Sequence, residues 1–233
     1  MTIKSFFCDL FNCNEGNPCP EPEPCPDPEP CPEPDPEVAR EEYWTNRFPH
    51  QPVIYRAQDN NPRDVRTFIF GRSYLLEDVI NKYNLRGNND DETMLKCCLV
   101  VQDYVEYVGD DVSRGQAEYW QNPEDTVARS AGDCEDGAIL MKSLTLCAGV
   151  PDWKVKIVAG MVEGGGHAYC TYICDDDTQC VMDWCYSTNR LPVNERLSIM
   201  QEEKYKEIWF SFNDQYSFAE VKTDYGPGKV LDK

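Results

Sequence analysis

The chain has 233 residues, 41% of them hydrophobic, which suits one globular domain with an attached segment. Its 42 acidic against 22 basic residues give a formal charge of −20, which argues against nucleic acid and anionic membrane surfaces as partners, because binding either would add repulsion. No apolar run approaches the roughly 20 residues needed to cross a bilayer, and Met1 to Cys13 lacks the basic start, apolar core and small-residue cleavage site of a secretory signal.

The N-terminus opens with a short apolar peptide, Phe6-Phe7-Cys8-Asp9-Leu10-Phe11. Residues 14–37 follow with a six-residue repeat: Cys19-Pro20-Glu21-Pro22-Glu23-Pro24, then units starting at Cys25 and Cys31. Proline at every second place excludes helix and central strand, leaving extended polyproline II at about 3.1 Å per residue. Three residues per turn sets Cys19, Cys25 and Cys31 on one edge, about 19 Å apart. That is too far to bond one another, since a disulfide needs Cα atoms within about 7 Å. These thiols either bond neighbouring chains, bind a partner, or carry no role in a stiff spacer. Residues 1–40 therefore read as a Pro/Cys-rich acidic tether carrying a docking peptide, and 41–225 as the domain. Residues 226–233 read as a C-terminal tail.

Within the domain, Val53-Ile54-Tyr55-Arg56 and Val65 to Phe70 are β-type runs, and Asp59-Asn60-Asn61-Pro62 between them predicts a hairpin. Tyr74 to Tyr83 predicts a helix. A stronger one starts near Asp91, with Met94, Leu95, Cys98, Leu99, Val101, Val105 and Val108 at helical spacing. Of the adjacent Cys97 and Cys98, one is expected buried and one more exposed. Asn122-Pro123-Glu124-Asp125 is another helix start, with Pro at the first position.

The next helix follows Gly132-Asp133-Cys134-Glu135-Asp136-Gly137. Asp133 is an N-cap residue, Asp136 can reach back as in a capping box, and Gly149 before Val150-Pro151 ends the helix. Cys134 thus sits on a first helical turn, where orphan N–H groups and the macrodipole favour a thiolate. Glu135 and Asp136 oppose this with their charge. Beyond it, Lys154 to Ala159 alternates as a strand, and His167 begins another, His167-Ala168-Tyr169-Cys170-Thr171-Tyr172-Ile173. The other histidine, His50, lies in a Pro-flanked connector. An acidic turn, Asp175-Asp176-Asp177, precedes the run Cys180 to Tyr186. A hairpin centred on residue 175 would set His167 opposite Asp183, with Cβ atoms about 5 Å apart. Glu207 to Phe212 and Tyr216 to Val221 are the last strand candidates.

A cysteine at a helix N-terminus, a histidine on one strand and an aspartate on the next form the nucleophile–base–orienter set of acyl transfer. Glu118-Tyr119-Trp120-Gln121-Asn122-Pro123, Gly132-Asp133-Cys134-Glu135-Asp136-Gly137-Ala138, His167-Ala168-Tyr169 and Asp183-Trp184 together resemble the transglutaminase-like cysteine peptidase superfamily, most closely its bacterial and phage members. The resemblance covers roughly residues 73–190. It implies an α+β, papain-like core with a nucleophile helix on an antiparallel sheet, behind an extended N-terminal tail. It further implies Cys134 as nucleophile, His167 as base and acid, Asp183 as orienter, and no metal or organic cofactor. The Cys134 N–H would serve the oxyanion, with Trp120 or Gln121 lining the cleft or giving the second donor.

Thirteen cysteines without a secretory signal point to synthesis in a reducing compartment. In the expected hairpin Cys170 and Cys180 face each other away from His167, as a disulfide or as buried thiols. Their spacing is not that of a zinc ribbon. The reading is a thiol-dependent amide hydrolase or acyltransferase acting on protein or peptide, joined to a larger assembly, such as a virion, through residues 1–37. Two alternatives stand beside it: a structural virion component using the domain as an interaction module, and an assembly protein linked by its tail cysteines.

Overall fold

The computed structural model describes residues 35–46, 52–56, 62–219 and 228–230. The apolar peptide, the repeat with Cys19, Cys25 and Cys31, and His50 lie outside them.

Helix α1, Pro36–Asn46, crosses the predicted boundary at residue 40. Pro36 suits a first helical turn, and no further proline interrupts the stretch behind it. Arg40 ties this helix to the domain: it donates to Asp177 at 2.9 Å and lies over the Trp153 ring at 5.5 Å. Strand β1, Val53–Arg56, pairs antiparallel with β2, Pro62–Asp64, and not with the run from Val65. Asp64 explains the early stop, because its carboxylate accepts the Arg66 N–H at 3.0 Å and caps a 3₁₀ turn over Val65–Phe68. Strand β10, Gly228–Val230, adds to the other side of β1, so part of the expected tail is sheet.

Helix α2 spans Tyr74–Tyr83, capped by Ser73, whose hydroxyl accepts the Leu76 N–H, and closed by left-handed Asn84. Helix α3, Asp90–Tyr104, is capped by Asn89. It stops short of Val108 because Glu106–Tyr107 forms β3, a short parallel ladder with β4, Ala131–Gly132. Cys97 and Cys98 are both buried, contrary to expectation: α3 is wedged against other elements on both flanks, and the Cys98 thiol points at the Asp183 carbonyl at 3.8 Å. A short α4, Asp110–Ser113, and α5, Pro123–Arg129, lead into α6, Cys134–Ala148.

Every residue of α6 from Glu135 to Thr145 is buried. A helix enclosed on all sides needs apolar residues nearly all round, which Ala138, Ile139, Leu140, Met141 and Leu144 supply. One face lies on the sheet, where the Cys170 thiol donates to the Ala138 carbonyl at 3.5 Å. That sheet has five strands in the order β7-β6-β5-β8-β9, all neighbours antiparallel. They are β5, Val155–Val162; β6, Gly165–Ile173; β7, Gln179–Met182; β8, Tyr205–Phe212; and β9, Ser217–Ala219.

The β6–β7 register differs from the predicted one by two residues: Cys170 pairs with Met182 and Tyr172 with Cys180. Asp177, at φ 66°, takes the left-handed place in the turn and moves its centre one residue on. Cys170 and Cys180 are therefore not opposite each other. The Cys180 sulfur instead lies 3.6 Å from that of Cys174. A shift of two preserves which face each side chain takes, so His167 and Asp183 still share one.

Candidate active site

Cys134 is the first residue of α6, and Asp133 ahead of it is extended. The Asp136 carboxylate reaches back to accept the Asp133 N–H at 3.3 Å. The Cys134 N–H is an orphan donor of the first turn and has no partner among the described residues. Gly137 is required one turn on, because the Trp184 indole lies where a Cβ would stand. Trp184 Nε1 donates to the Cys134 carbonyl at 3.0 Å, tying the loop after β7 to the helix start.

On that loop, Asp183 is 1% exposed and accepts four hydrogen bonds. Oδ2 takes His167 Nε2 at 2.8 Å and the Tyr205 hydroxyl at 2.8 Å; Oδ1 takes the N–H groups of Cys185 and Tyr186 at 3.0 and 3.2 Å. Burial alone would raise the Asp183 pKa, but the His167 bond and charge, the Cys185 N–H and Tyr205 together hold it below the usual carboxylate range. With Nε2 bonded to Asp183, Nδ1 is the ring nitrogen left for another partner. The His167 ring lies beside Tyr186, centroids 5.3 Å apart.

The backbone N–H of Ala168, the residue next to His167, favours the Cys134 thiolate. The thiol's own hydrogen points to Glu135 Oε2 at 3.2 Å and not to His167. Burial, then the Asp133 charge, push the thiol pKa up to about 12; the Ala168 N–H and the Glu135 bond act the other way, and Cys185 adds to the rise.

Acidic groups crowd this helix start. Asp110, Asp133 and Glu135 each present a carboxylate oxygen within 4.8 Å of the others. Three buried oxygens here, Asp110 Oδ1, Asp133 Oδ1 and Glu135 Oε1, have no hydrogen-bond partner. Burial raises the pKa of Asp133 to about 7, with the charges of Asp110 and Glu118 adding to it. Glu135 is raised well above its ordinary range by burial and then by Cys134, Asp133 and Glu118. Oxygen-only donors with spare lone pairs have the chemistry of a hard divalent cation site. Sequence reasoning expected no metal. The Asp133-x-Glu135 alternation was a partial signal, but Asp110 comes from a stretch with no pattern to connect it.

Both expected cleft residues are buried. Trp120 is stacked in the core on Tyr55 and Phe212, with centroids 4.7 and 5.9 Å away. Gln121 is 1% exposed; its N–H donates to Asp136 Oδ1 at 2.7 Å, and its amide to Asp136 Oδ2 and to the Ala131 carbonyl. Gln121 therefore clamps the carboxylate that starts α6. Sequence reasoning also missed Tyr205, which sits 22 residues beyond Asp183 in a strand with no motif of its own.

No family model matches the chain, and no curated protein does. Among solved structures, the chain is similar to Legionella pneumophila LapG. The EGTA-treated form is 17% identical, with 63% of this chain and 74% of that one covered at a TM-score of 0.50. The calcium-bound form is 18% identical, with coverage of 64% and 78% at a TM-score of 0.50. The likeness is one of fold: a transglutaminase-like α+β core with one helix laid on an antiparallel sheet.

Proposed function

We propose that the domain is a cysteine peptidase or related thiol-dependent acyltransferase acting on protein or peptide, with Cys134 as nucleophile, His167 as base and acid, and Asp183 as orienter. The observation that carries this reading is the buried His167–Asp183 pair at 2.8 Å, with the backbone N–H of Ala168, next along the strand, favouring the Cys134 thiolate. Asp183 fixes the imidazole tautomer, so that Nδ1 takes the thiol proton. The thiolate attacks the amide carbonyl to give a tetrahedral oxyanion, with the Cys134 N–H as one donor to it. The same imidazole protonates the leaving amine, and water then releases the acyl group from the thioester.

For the thiol to use His167, its hydrogen must turn away from Glu135. Asp110, Asp133 and Glu135 would hold a calcium ion, in keeping with the calcium-bound form of LapG, and its charge would offset the carboxylates flanking the thiol. The role of residues 1–37 as a tether to a larger assembly, such as a virion, rests on their sequence.

The test is iodoacetamide labelling at neutral pH in calcium, with peptide mapping, alongside cleavage of a peptide library. Preferential alkylation of Cys134, lost in His167→Ala, and cleavage that stops in Cys134→Ala are the expected results. Uniformly slow alkylation of all thirteen thiols would overturn the reading in favour of an interaction module.

A further inference from the structure

One thiol beside this pair has no part in the mechanism. Cys185 is a free, partly buried cysteine two residues after Asp183. Its own N–H donates to Asp183 Oδ1 at 3.0 Å, which fixes its backbone against the carboxylate. A ring nitrogen of His167, a carboxylate oxygen of Asp183 and the Cys185 sulfur all lie within 4.8 Å of one another. We propose that Cys185, His167 and Asp183 form an inhibitory site for a thiophilic divalent cation, zinc being the best fit.

The argument is one of donor chemistry. Sulfur, imidazole nitrogen and carboxylate oxygen are the three ligand types that zinc takes in four-coordinate sites, and three protein ligands leave one position for water. The Asp110, Asp133 and Glu135 group offers oxygen alone and suits a hard cation. Two cation sites of opposite preference thus flank the same thiol. His167 and Asp183 are already buried side by side; ligation by Nε2 would replace its 2.8 Å bond to Asp183 and leave the ring proton on Nδ1, while the Cys185 side chain settles on the ion. Burial and the Asp183 charge keep the Cys185 thiol protonated; a coordinated zinc ion would displace that proton to solvent, with no redox change. The bound ion would occupy the imidazole and carboxylate that move the Cys134 proton, and so arrest the reaction.

The site concerns the residues of the proposed activity, but its existence is tested without turnover. The reduced full-length chain is titrated with Co²⁺ in saturating calcium, which masks the oxygen-only group. Wild-type protein is expected to show a thiolate-to-cobalt charge-transfer band and tetrahedral d–d bands that zinc removes. Cys185→Ala and His167→Ala should each lose one metal equivalent and that share of the band, whatever background the other thiols give. Zinc should then lower the wild-type hydrolysis rate at least tenfold more than it lowers that of Cys185→Ala, each relative to its own metal-free rate. Identical cobalt spectra and stoichiometry in wild type and Cys185→Ala would overturn the site even if the peptidase is active. An inactive protein that still loses an equivalent on Cys185→Ala would keep the site and sink the peptidase reading.

Discussion

Stability in the absence of calcium should fall as pH rises from 5 to 8. Asp133 is held at a pKa of about 7 by burial and by its acidic neighbours, against about 3.9 for an unfolded aspartate. A carboxyl with a raised folded pKa contributes stability that is fully present below the unfolded value and is lost as pH climbs through the folded one. The window set by Asp133 is therefore about pH 4 to pH 7. Between pH 5 and pH 7 a single such group gives up about 3 kcal/mol, at about 1.4 kcal/mol per pH step. Asp110, Glu118, Asp133 and Glu135 share their protons, so the cluster is counted once. Urea unfolding in EGTA at pH 5 and pH 8 measures the difference. Calcium at a hundred times its Kd should restore about 2.7 kcal/mol at pH 8, and Asp133→Asn should make the EGTA profile shallower, while Asp136, also raised to about 7 by burial, keeps part of the slope. Unfolding free energy in EGTA that is equal or higher at pH 8 would refute the reasoning, because it would mean that these carboxylates are not forced together as charges.

Other substitutions test the site from different sides. Cys134→Ala and His167→Ala should each lower peptide cleavage by about 10⁴-fold or more while leaving the thermal midpoint nearly in place, since groups acting as one unit fail together. Tyr205→Phe removes one of four bonds to a buried charge, so denaturant unfolding should show a loss of about 1.5–3 kcal/mol, with a kcat loss that an Asp183-independent role for Tyr205 would not give. Gly137→Ala must displace the Trp184 indole from the start of α6; overpacking of this kind costs typically 1–3 kcal/mol. Near-ultraviolet circular dichroism should report the change in the Trp184 environment.

The helices were legible because their ends carry chemistry that acts locally. Pro123 and Asp133 each mark a first turn and Gly149 closes a last one in the left-handed conformation; in the structure Ser73, Asn89 and Asn84 do the same for helices read from spacing alone. The pairing of His167 with Asp183 was legible for a different reason. The centre of an acidic turn can be misplaced by one residue, but the resulting register shift is two, and parity keeps the same side chains on one face. What parity does not protect is the identity of the direct partner, and so Cys180 lies by Cys174 and not by Cys170. The packing of Trp120 and Gln121 was not legible, because a motif gives residues without directions. Here the chain turns both side chains inward, one to an aromatic core and the other to Asp136. Tyr205 and the acidic group are assembled from segments far apart in sequence, and no local period links them.

A cysteine on a first helical turn is commonly credited with an activated thiol, and the magnitudes decide against that here. The macrodipole favours a nearby negative charge by about 0.3–1 kcal/mol, rising to about 2 kcal/mol where partly buried. A thiol pushed up to about 12 by burial and Asp133 is disfavoured as thiolate by roughly 4 kcal/mol. Position on the helix therefore does not activate Cys134, and its reactivity depends on His167 and on the charge state of the carboxylates around it. The second-order rate of Cys134 alkylation at pH 7 should accordingly rise at least tenfold on going from EGTA to saturating calcium. Asp133→Asn should raise the EGTA rate by itself, while His167→Ala keeps the rate low in both conditions. Cys147, which is half-buried and remote from the acidic group, serves as the internal reference and should label equally in EGTA and calcium. A Cys134 rate indifferent to both calcium and Asp133→Asn would show that the carboxylates do not govern the thiol, and the electrostatic account of this helix start would fall with it.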